Sequence, residues 1–295
     1  MKKWALLCVL VASAGLFYAL DEPFSSTNTE TPSEEVQELQ EAPEEPAPEP
    51  ERKIELTEVD IRQGNLLLVN QDYPVLPESI RTDVIDVLPQ SEWTDGYALL
   101  SEDIQLSEDL VKRFSEMVAV AKQDGIDNFL LTSGFRSFEE QEVLFAEMGA
   151  DYALPPGYSE HNLGLSLDVS STEMLMEVAP EGRWVADHAW EFGFVVRYPA
   201  DKTEITGIQY EPWHLRYVGL PHSAIMKEKN FVLEEYLAYL KEEQEISAQV
   251  DGEIYTVTYH PVNGSTTVTL PPEGTFELSG TNVDGVILTL SESDE

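Results

Sequence analysis

Ser159-Glu160-His161-Asn162-Leu163-Gly164-Leu165-Ser166-Leu167-Asp168 is the stretch that decides how this chain is read. Leu163, Leu165 and Leu167 alternate with Gly164, Ser166 and Asp168, which is the period of a half-buried strand with Asp168 on the face opposite the leucines. His161 lies just ahead of that strand. A second cluster, Glu211-Pro212-Trp213-His214, runs into Leu215-Arg216-Tyr217-Val218-Gly219, another strand pattern. Together the clusters offer two imidazoles, one carboxylate and a spare carboxylate. A catalytic zinc site needs three protein ligands, an open position and a general base, and His161, Asp168, His214 and Glu211 meet that need.

Working outward, Phe129-Leu130-Leu131-Thr132 reads as a buried strand that delivers Ser133-Gly134-Phe135-Arg136 at its end. Arg136 is a permanent cation suited to an oxyanion as a carbonyl becomes tetrahedral. Glu211 is suited to take a proton from water and pass it to a leaving amine. Because Glu211 precedes a proline it is pushed away from helical backbone. In a regular strand residues 211 and 214 would face opposite ways, so a shared site requires a bend or bulge at Pro212-Trp213.

Taken singly, each residue has an ordinary structural role. His161 suits a satisfied loop histidine, Asp168 a strand-end cap, Arg136 a salt-bridge partner and Trp213 the core. Their combination carries the metal reading. His188, His222 and His260 are read as structural.

Leu110, Phe114, Met117, Val118 and Ala121 recur at helical spacing after Ser107, and Gly125 closes that helix. Ser137 with Glu140 is a capping-box pattern that opens a helix over about 138–148. A third helix is expected over 183–192, a strand over 194–198 and a last helix carrying Leu233, Tyr236, Leu237 and Leu240. Leu66-Leu67-Leu68-Val69-Asn70 is read as a short strand. Interleaved helices, strands and irregular loops indicate α+β. After about residue 245 the chain turns strand-like, at 254–259, 266–270, 275–278 and 286–290, and reads as a small all-β appendage.

Acidic residues number 56 against 17 basic ones, for a net charge of −39. Such a chain is repelled by nucleic acid and by anionic lipid. Its one cysteine, Cys8, excludes an intrachain disulfide. Met1-Lys2-Lys3 precedes an apolar run from Trp4 to Leu20, near the short limit for a spanning helix, and Asp21-Glu22 follow it. The reading is an exported chain with an uncleaved membrane anchor; cleavage after Ala12-Ser13-Ala14 is the competitor. An acidic Pro-rich linker over 21–53 acts as a spacer. The expected organisation is 1–20 anchor or signal, 21–53 linker, 54–245 catalytic domain and 246–295 β appendage.

The segments Ser133 to Gln141, Gly157 to Asp168 and Glu211 to Gly219, with Gly193 to Pro199 between them, resemble VanY-type D-alanyl-D-alanine carboxypeptidases, zinc peptidases of the Hedgehog/DD-peptidase fold. That resemblance implies a small antiparallel sheet flanked by helices. It implies zinc on His161, Asp168 and His214, Glu211 as base and Arg136 as transition-state stabiliser. Ser159, Gln141, Trp213 and Tyr217 fall on motif positions near substrate. Asn162, Leu163 and Ser166 depart mildly from the family pattern without removing a ligand.

The expected activity is removal of C-terminal D-Ala from peptidoglycan stem peptides outside the membrane, with Arg197 or Arg216 helping Arg136 to hold the substrate carboxylate. An L,D-carboxypeptidase acting on tetrapeptide stems shares the same metal chemistry. A non-catalytic wall-binding protein, with the appendage as its adhesive part, is the alternative from another class.

Overall fold

The structure is a computed structural model that describes residues 52–88, 93–149, 153–271 and 273–292, and every count of elements below refers to these residues. In chain order the elements are β1 (Arg52–Thr57), β2 (Val84–Asp86), β3 (Tyr97–Leu99), β4 (Gln105–Ser107), α1 (Glu108–Gln123), β5 (Phe129–Ser133) and α2 (Phe138–Met148). Next come β6 (Ser166–Ser171), α3 (Pro180–His188), β7 (Phe194–Tyr198), α4 (Thr203–Thr206), β8 (Glu211–Tyr217), α5 (His222–Lys229) and α6 (Leu233–Glu243). The chain ends in β9 (Glu245–Val250), β10 (Glu253–Pro261), β11 (Ser265–Leu270), β12 (Thr275–Gly280) and β13 (Gly285–Glu292).

The central sheet has five strands in the order β3-β5-β6-β8-β7. All pairs are antiparallel except the outer β3–β5 pair, which is parallel. Helix α1 lies against this sheet because Leu110, Phe114, Met117, Val118 and Ala121 form one apolar stripe, and all five are buried. They share a core with Phe129 and Leu131 of β5, Leu167 and Val169 of β6, and Leu215 of β8. Each such leucine or phenylalanine contributes about 1.5–3 kcal/mol relative to an exposed one. Helix α2 starts as its sequence predicts. The Ser137 side chain accepts from the Glu140 N–H at 3.1 Å, and the Glu140 carboxylate accepts from the Ser137 N–H at 2.7 Å.

Two elements differ from expectation. Leu66 to Asn70 is no strand; it is an irregular segment with Leu66, Leu67, Leu68 and Val69 all buried. Its backbone groups are met without a ladder. The Leu66 N–H donates to Ser279 Oγ at 2.7 Å, the Leu68 N–H to the Thr281 carbonyl at 3.1 Å, and Asn282 Nδ2 to the Leu68 carbonyl at 2.8 Å. Leu163 sits on a 3-10 turn, Glu160–Leu163, so the strand begins only at Ser166.

The C-terminal strands form a four-stranded antiparallel sheet, β12-β13-β10-β9, while β11 pairs with β1 from the start of the described chain. The expected boundary at 245/246 falls at β9, and the packing crosses it. Leu66, Leu68, Ile225, Tyr236 and Leu240 share one cluster with Ile246, Val257, Tyr259 and Ile287. The expected anchor lies outside the described residues, as does nearly all of the expected linker. Among the described residues no helix is long and apolar enough to cross a membrane.

His222 joins the two parts. Its Nδ1 lies 2.8 Å from Tyr236 Oη and its Nε2 lies 3.1 Å from Thr289 Oγ1. Burial pushes its pKa down to about 3. The unfolded chain therefore protonates His222 below about pH 6.5, whereas the folded chain resists until about pH 3. The resulting loss of stability is absent above pH 6.5 and grows by about 1.4 kcal/mol per pH unit as pH falls. Urea titrations of the parent and of His222→Gln should diverge between pH 6.5 and 4, with the parent losing stability faster; parallel pH profiles would contradict this.

Candidate metal centre

The register of β6 on β8 places Asp168 opposite His214 and Ser166 opposite Arg216. His161 comes from the 3-10 turn that precedes β6. Ser159 opens that turn, its Oγ accepting from the His161 N–H at 3.4 Å. Gly164 closes it in the left-handed region, at φ +81°, where a side chain is disfavoured. The turn is locked to the β5–α2 connection. The Arg136 N–H donates to the His161 carbonyl at 3.2 Å, and Asn162 Nδ2 donates to the Arg136 carbonyl at 2.7 Å.

His161, Asp168 and His214 each offer one ligand atom, and these atoms lie within 4.8 Å of one another. His161 Nε2 is 3.2 Å from Asp168 Oδ2, and His214 Nδ1 is 3.0 Å from Asp168 Oδ1. The far nitrogen of each imidazole has its own acceptor. His161 Nδ1 lies 2.6 Å from the Gly134 carbonyl, and His214 Nε2 lies 3.3 Å from Glu160 Oε2. With a proton on each far nitrogen, the near nitrogens are left free to ligate. Two imidazole nitrogens, each with its outer partner in place, and one carboxylate form a donor set that fits zinc.

The electrostatics favour a cation here. Burial would raise the Asp168 carboxyl, but the His161 and His214 imidazoles hold it far below its usual range. Burial would lower His214, yet its contacts with Asp168 and Glu160 raise it to about 9. His161 is pushed down, by burial first and by Arg136.

Glu211 Oε2 is 4.0 Å from His214 Nδ1. The bend that a shared site requires is present. Val196 pairs with Leu215 while Tyr198 pairs with Glu211, so three residues of β8, Pro212 to His214, stand opposite Arg197 alone. Burial pushes the Glu211 carboxyl up, with His214 opposing and Asp168 assisting. Burial pushes the Arg136 guanidinium down, against the pull of Asp168 and Glu211. Arg136 Nε is buried and has no hydrogen-bond partner.

Around this cluster, Ser159 is buried at the mouth of the 3-10 turn. Gln141 is buried on α2; its Nε2 donates to the Leu154 carbonyl at 2.7 Å and its Oε1 is unpartnered. Trp213 and Tyr217 lie on β8, on either side of His214 in sequence. Both are half-buried against the main core, and the Tyr217 ring meets Phe194 edge-on at 5.3 Å. His214 and Arg216, by contrast, both reach Glu160.

Arg197 and Arg216 are not available to a substrate carboxylate. Both are fully buried, and both donate to Glu160, at 2.9 and 2.7 Å. Arg197 also forks onto Glu234 at 2.7 and 2.8 Å. That corrects their expected role as helpers of Arg136. Glu160 and Tyr198 were overlooked at the level of sequence. The Tyr198 ring centroid is 4.9 Å from that of His214. A readable signal existed for Glu160: Arg197 and Arg216 interrupt apolar strands, and buried arginines require a buried anion.

Gly134 carries both a carbonyl to His161 and a tight backbone approach. A Cβ there would overlap the Gln105 carbonyl and crowd Leu106. Gly134→Ala should cost about 1–3 kcal/mol, as overpacking does, and should weaken metal retention by displacing His161. Unchanged melting temperature and metal content would contradict this account.

This α+β scaffold, with a three-ligand cluster at the centre of its sheet, is that of a DD-peptidase. Residues 103–220 match the VanY D-alanyl-D-alanine carboxypeptidase family. A D-alanyl-D-alanine carboxypeptidase of Enterococcus faecium is 57% identical over 235 residues, covering 80% of this chain and 78% of the relative. A bifunctional D-Ala-D-Ala dipeptidase and D-Ala-D-Ala carboxypeptidase, VanXYC of Enterococcus gallinarum, is 36% identical over 194 residues, covering 60% of this chain and 95% of the relative. The crystal structure of the vancomycin resistance D,D-dipeptidase VanXYg, in complex with a D-Ala-D-Ala phosphinate analogue, aligns with a TM-score of 0.72 at 29% identity. It covers 82% of this chain and 99% of that one. The chain belongs to the VanY family of D-alanyl-D-alanine carboxypeptidases.

Proposed function

We propose that this protein is a zinc-dependent D,D-carboxypeptidase that removes the C-terminal D-Ala from peptidoglycan stem peptides, with His161, Asp168 and His214 holding the ion. The observation that carries the reading is the convergence of these three side chains, each far nitrogen already satisfied, beside a carboxylate whose pKa is raised. Zinc bound there supplies a Lewis acid that acidifies water and polarises a carbonyl.

Glu211 acts as the general base. Burial raises its carboxyl, which favours its accepting a proton from water and returning it to the departing D-Ala amine. Arg136 has a buried, unsatisfied Nε–H, and its guanidinium feels the charges of Asp168 and Glu211; it is the donor assigned here to the oxygen that becomes negative. The protein would act outside the membrane, where stem peptides are found, tethered through residues 1–20. The chain, with 56 acidic and 17 basic residues, disfavours nucleic acid as a partner.

A second reading has its own support: the relative that matches over 95% of its length is named for both dipeptidase and carboxypeptidase activity. Purified protein should be incubated with pentapeptide stems, tetrapeptide stems and free D-Ala-D-Ala, and the products weighed by mass spectrometry. Loss of one D-Ala from the pentapeptide is the expected outcome. Cleavage of the tetrapeptide alone would make the enzyme an L,D-carboxypeptidase. Hydrolysis of the free dipeptide would add the second activity. Release of D-Ala from none of them would leave a wall-binding role.

A further inference from the structure

Glu160 is fully buried, and a buried carboxylate persists only where several donors meet it. Four groups surround it. Its Oε1 accepts from Arg197 Nε at 2.9 Å and from Arg216 Nη1 at 2.7 Å. Its Oε2 accepts from Ser166 Oγ at 3.2 Å and lies 3.3 Å from His214 Nε2. The chemistry proposed above makes no use of it. It meets the edge of the imidazole opposite Nδ1, the nitrogen that lies near Asp168 and Glu211.

We infer that Glu160 is the positioning residue of the metal centre: clamped by Arg197 and Arg216, its carboxylate fixes the tautomer and ring orientation of His214, so that Nδ1 is the nitrogen offered to the ion. The inference rests on the reading of His214 as a ligand. The clamp extends well beyond the central sheet. Arg197 forks onto Glu234 of α6. Arg216 Nη2 donates to the carbonyls of Asn65 and Leu67, both at 2.9 Å. The segment 65–68 is in turn held by Ser279, Thr281 and Asn282 at the β12–β13 turn. The C-terminal sheet is thereby part of the mounting of a catalytic ligand, which gives the appendage a task inside the enzyme.

An outer carboxylate of this kind typically sets metal affinity or activity by about 10–100-fold. Zinc affinity of the full-length protein should be measured by competition with a chromophoric chelator. The visible spectrum should be recorded on the cobalt(II)-loaded protein. Glu160→Gln should bind zinc about 10–100-fold more weakly and shift the cobalt spectrum. That substitution leaves two arginines with one anion, Glu234, so the double variant Glu160→Gln/Arg216→Met restores the buried charge balance and carries the test if the single variant does not fold. Its affinity should stay low.

A Glu160 that only stabilises the fold would lower the melting temperature of the metal-free protein and leave the affinity and cobalt spectrum at parent values. That result overturns the inference. If the parent binds one zinc and both variants match it, this inference alone falls. If the parent binds no zinc, the metal reading falls and takes the inference with it.

Discussion

Glu211→Ala is expected to lower kcat by about 10²–10⁴-fold, the usual contribution of a positioned proton-transfer group, while the protein keeps its zinc. The argument has two parts. Glu211 Oε2 is 4.0 Å from His214 Nδ1, close enough to address a water in the site, yet it is not one of the three side chains whose ligand atoms converge. Its carboxyl is also raised by burial, against the lowering effect of His214, which moves it towards the range where a base both accepts and returns a proton. Removing it should therefore spare metal binding and abolish proton transfer. Metal content and stem-peptide turnover measured on one preparation check this. Turnover at the parent rate would remove Glu211 from the mechanism, and loss of zinc would make it a ligand.

Arg136→Ala is the second large effect, expected at about 10²–10³-fold in kcat, the loss seen when one oxyanion donor is removed. Arg136 is held by its backbone, through the His161 carbonyl and Asn162 Nδ2, and its Nε–H is left buried without a partner. A donor in that state has a desolvation cost that only a bound group offsets. Truncation at Cβ leaves those backbone bonds intact, so the melting temperature should change little while kcat falls. Arg136→Lys should recover only part of the rate, because a point charge does not reproduce the planar fork. A fall in stability with kcat preserved would mark Arg136 as structural.

Some of this was legible in the residues. The stripe Leu110 to Ala121 predicts α1, and the Ser137/Glu140 pair predicts the start of α2, because both signals are local and use the helix's own geometry. The bend at Pro212-Trp213 was legible for a different reason: two side chains three apart in a strand share a site only if the strand is irregular, and the register of β7 on β8 shifts there. β9 carried a readable alternation, Ile246, Ala248 and Val250 inward, but it was masked by its attachment to α6.

Other parts were not legible because tertiary structure decides them. Leu66 to Val69 has the composition of a strand, yet its backbone is satisfied by Ser279, Thr281, Asn282 and Arg216, all distant in the chain. Arg197 and Arg216 interrupt apolar strands, which signals burial, but which anion they meet is decided by the fold: both pair with Glu160 rather than with a substrate carboxylate. Ser166 alternates with the leucines of its strand, but that its hydroxyl is donated to Glu160 is decided by the tertiary fold. The strand β1 is paired by β11, more than two hundred residues later, and no local signal announces that partner.

The central claim is that His161, Asp168 and His214 hold one zinc ion. Metal content by inductively coupled plasma mass spectrometry, on the purified protein and on Asp168→Ala prepared identically, tests it most directly. One zinc per chain in the parent, and a folded variant with almost none, is the result this account predicts. A folded Asp168→Ala protein that keeps its full zinc, or a parent that never carries any, would contradict it.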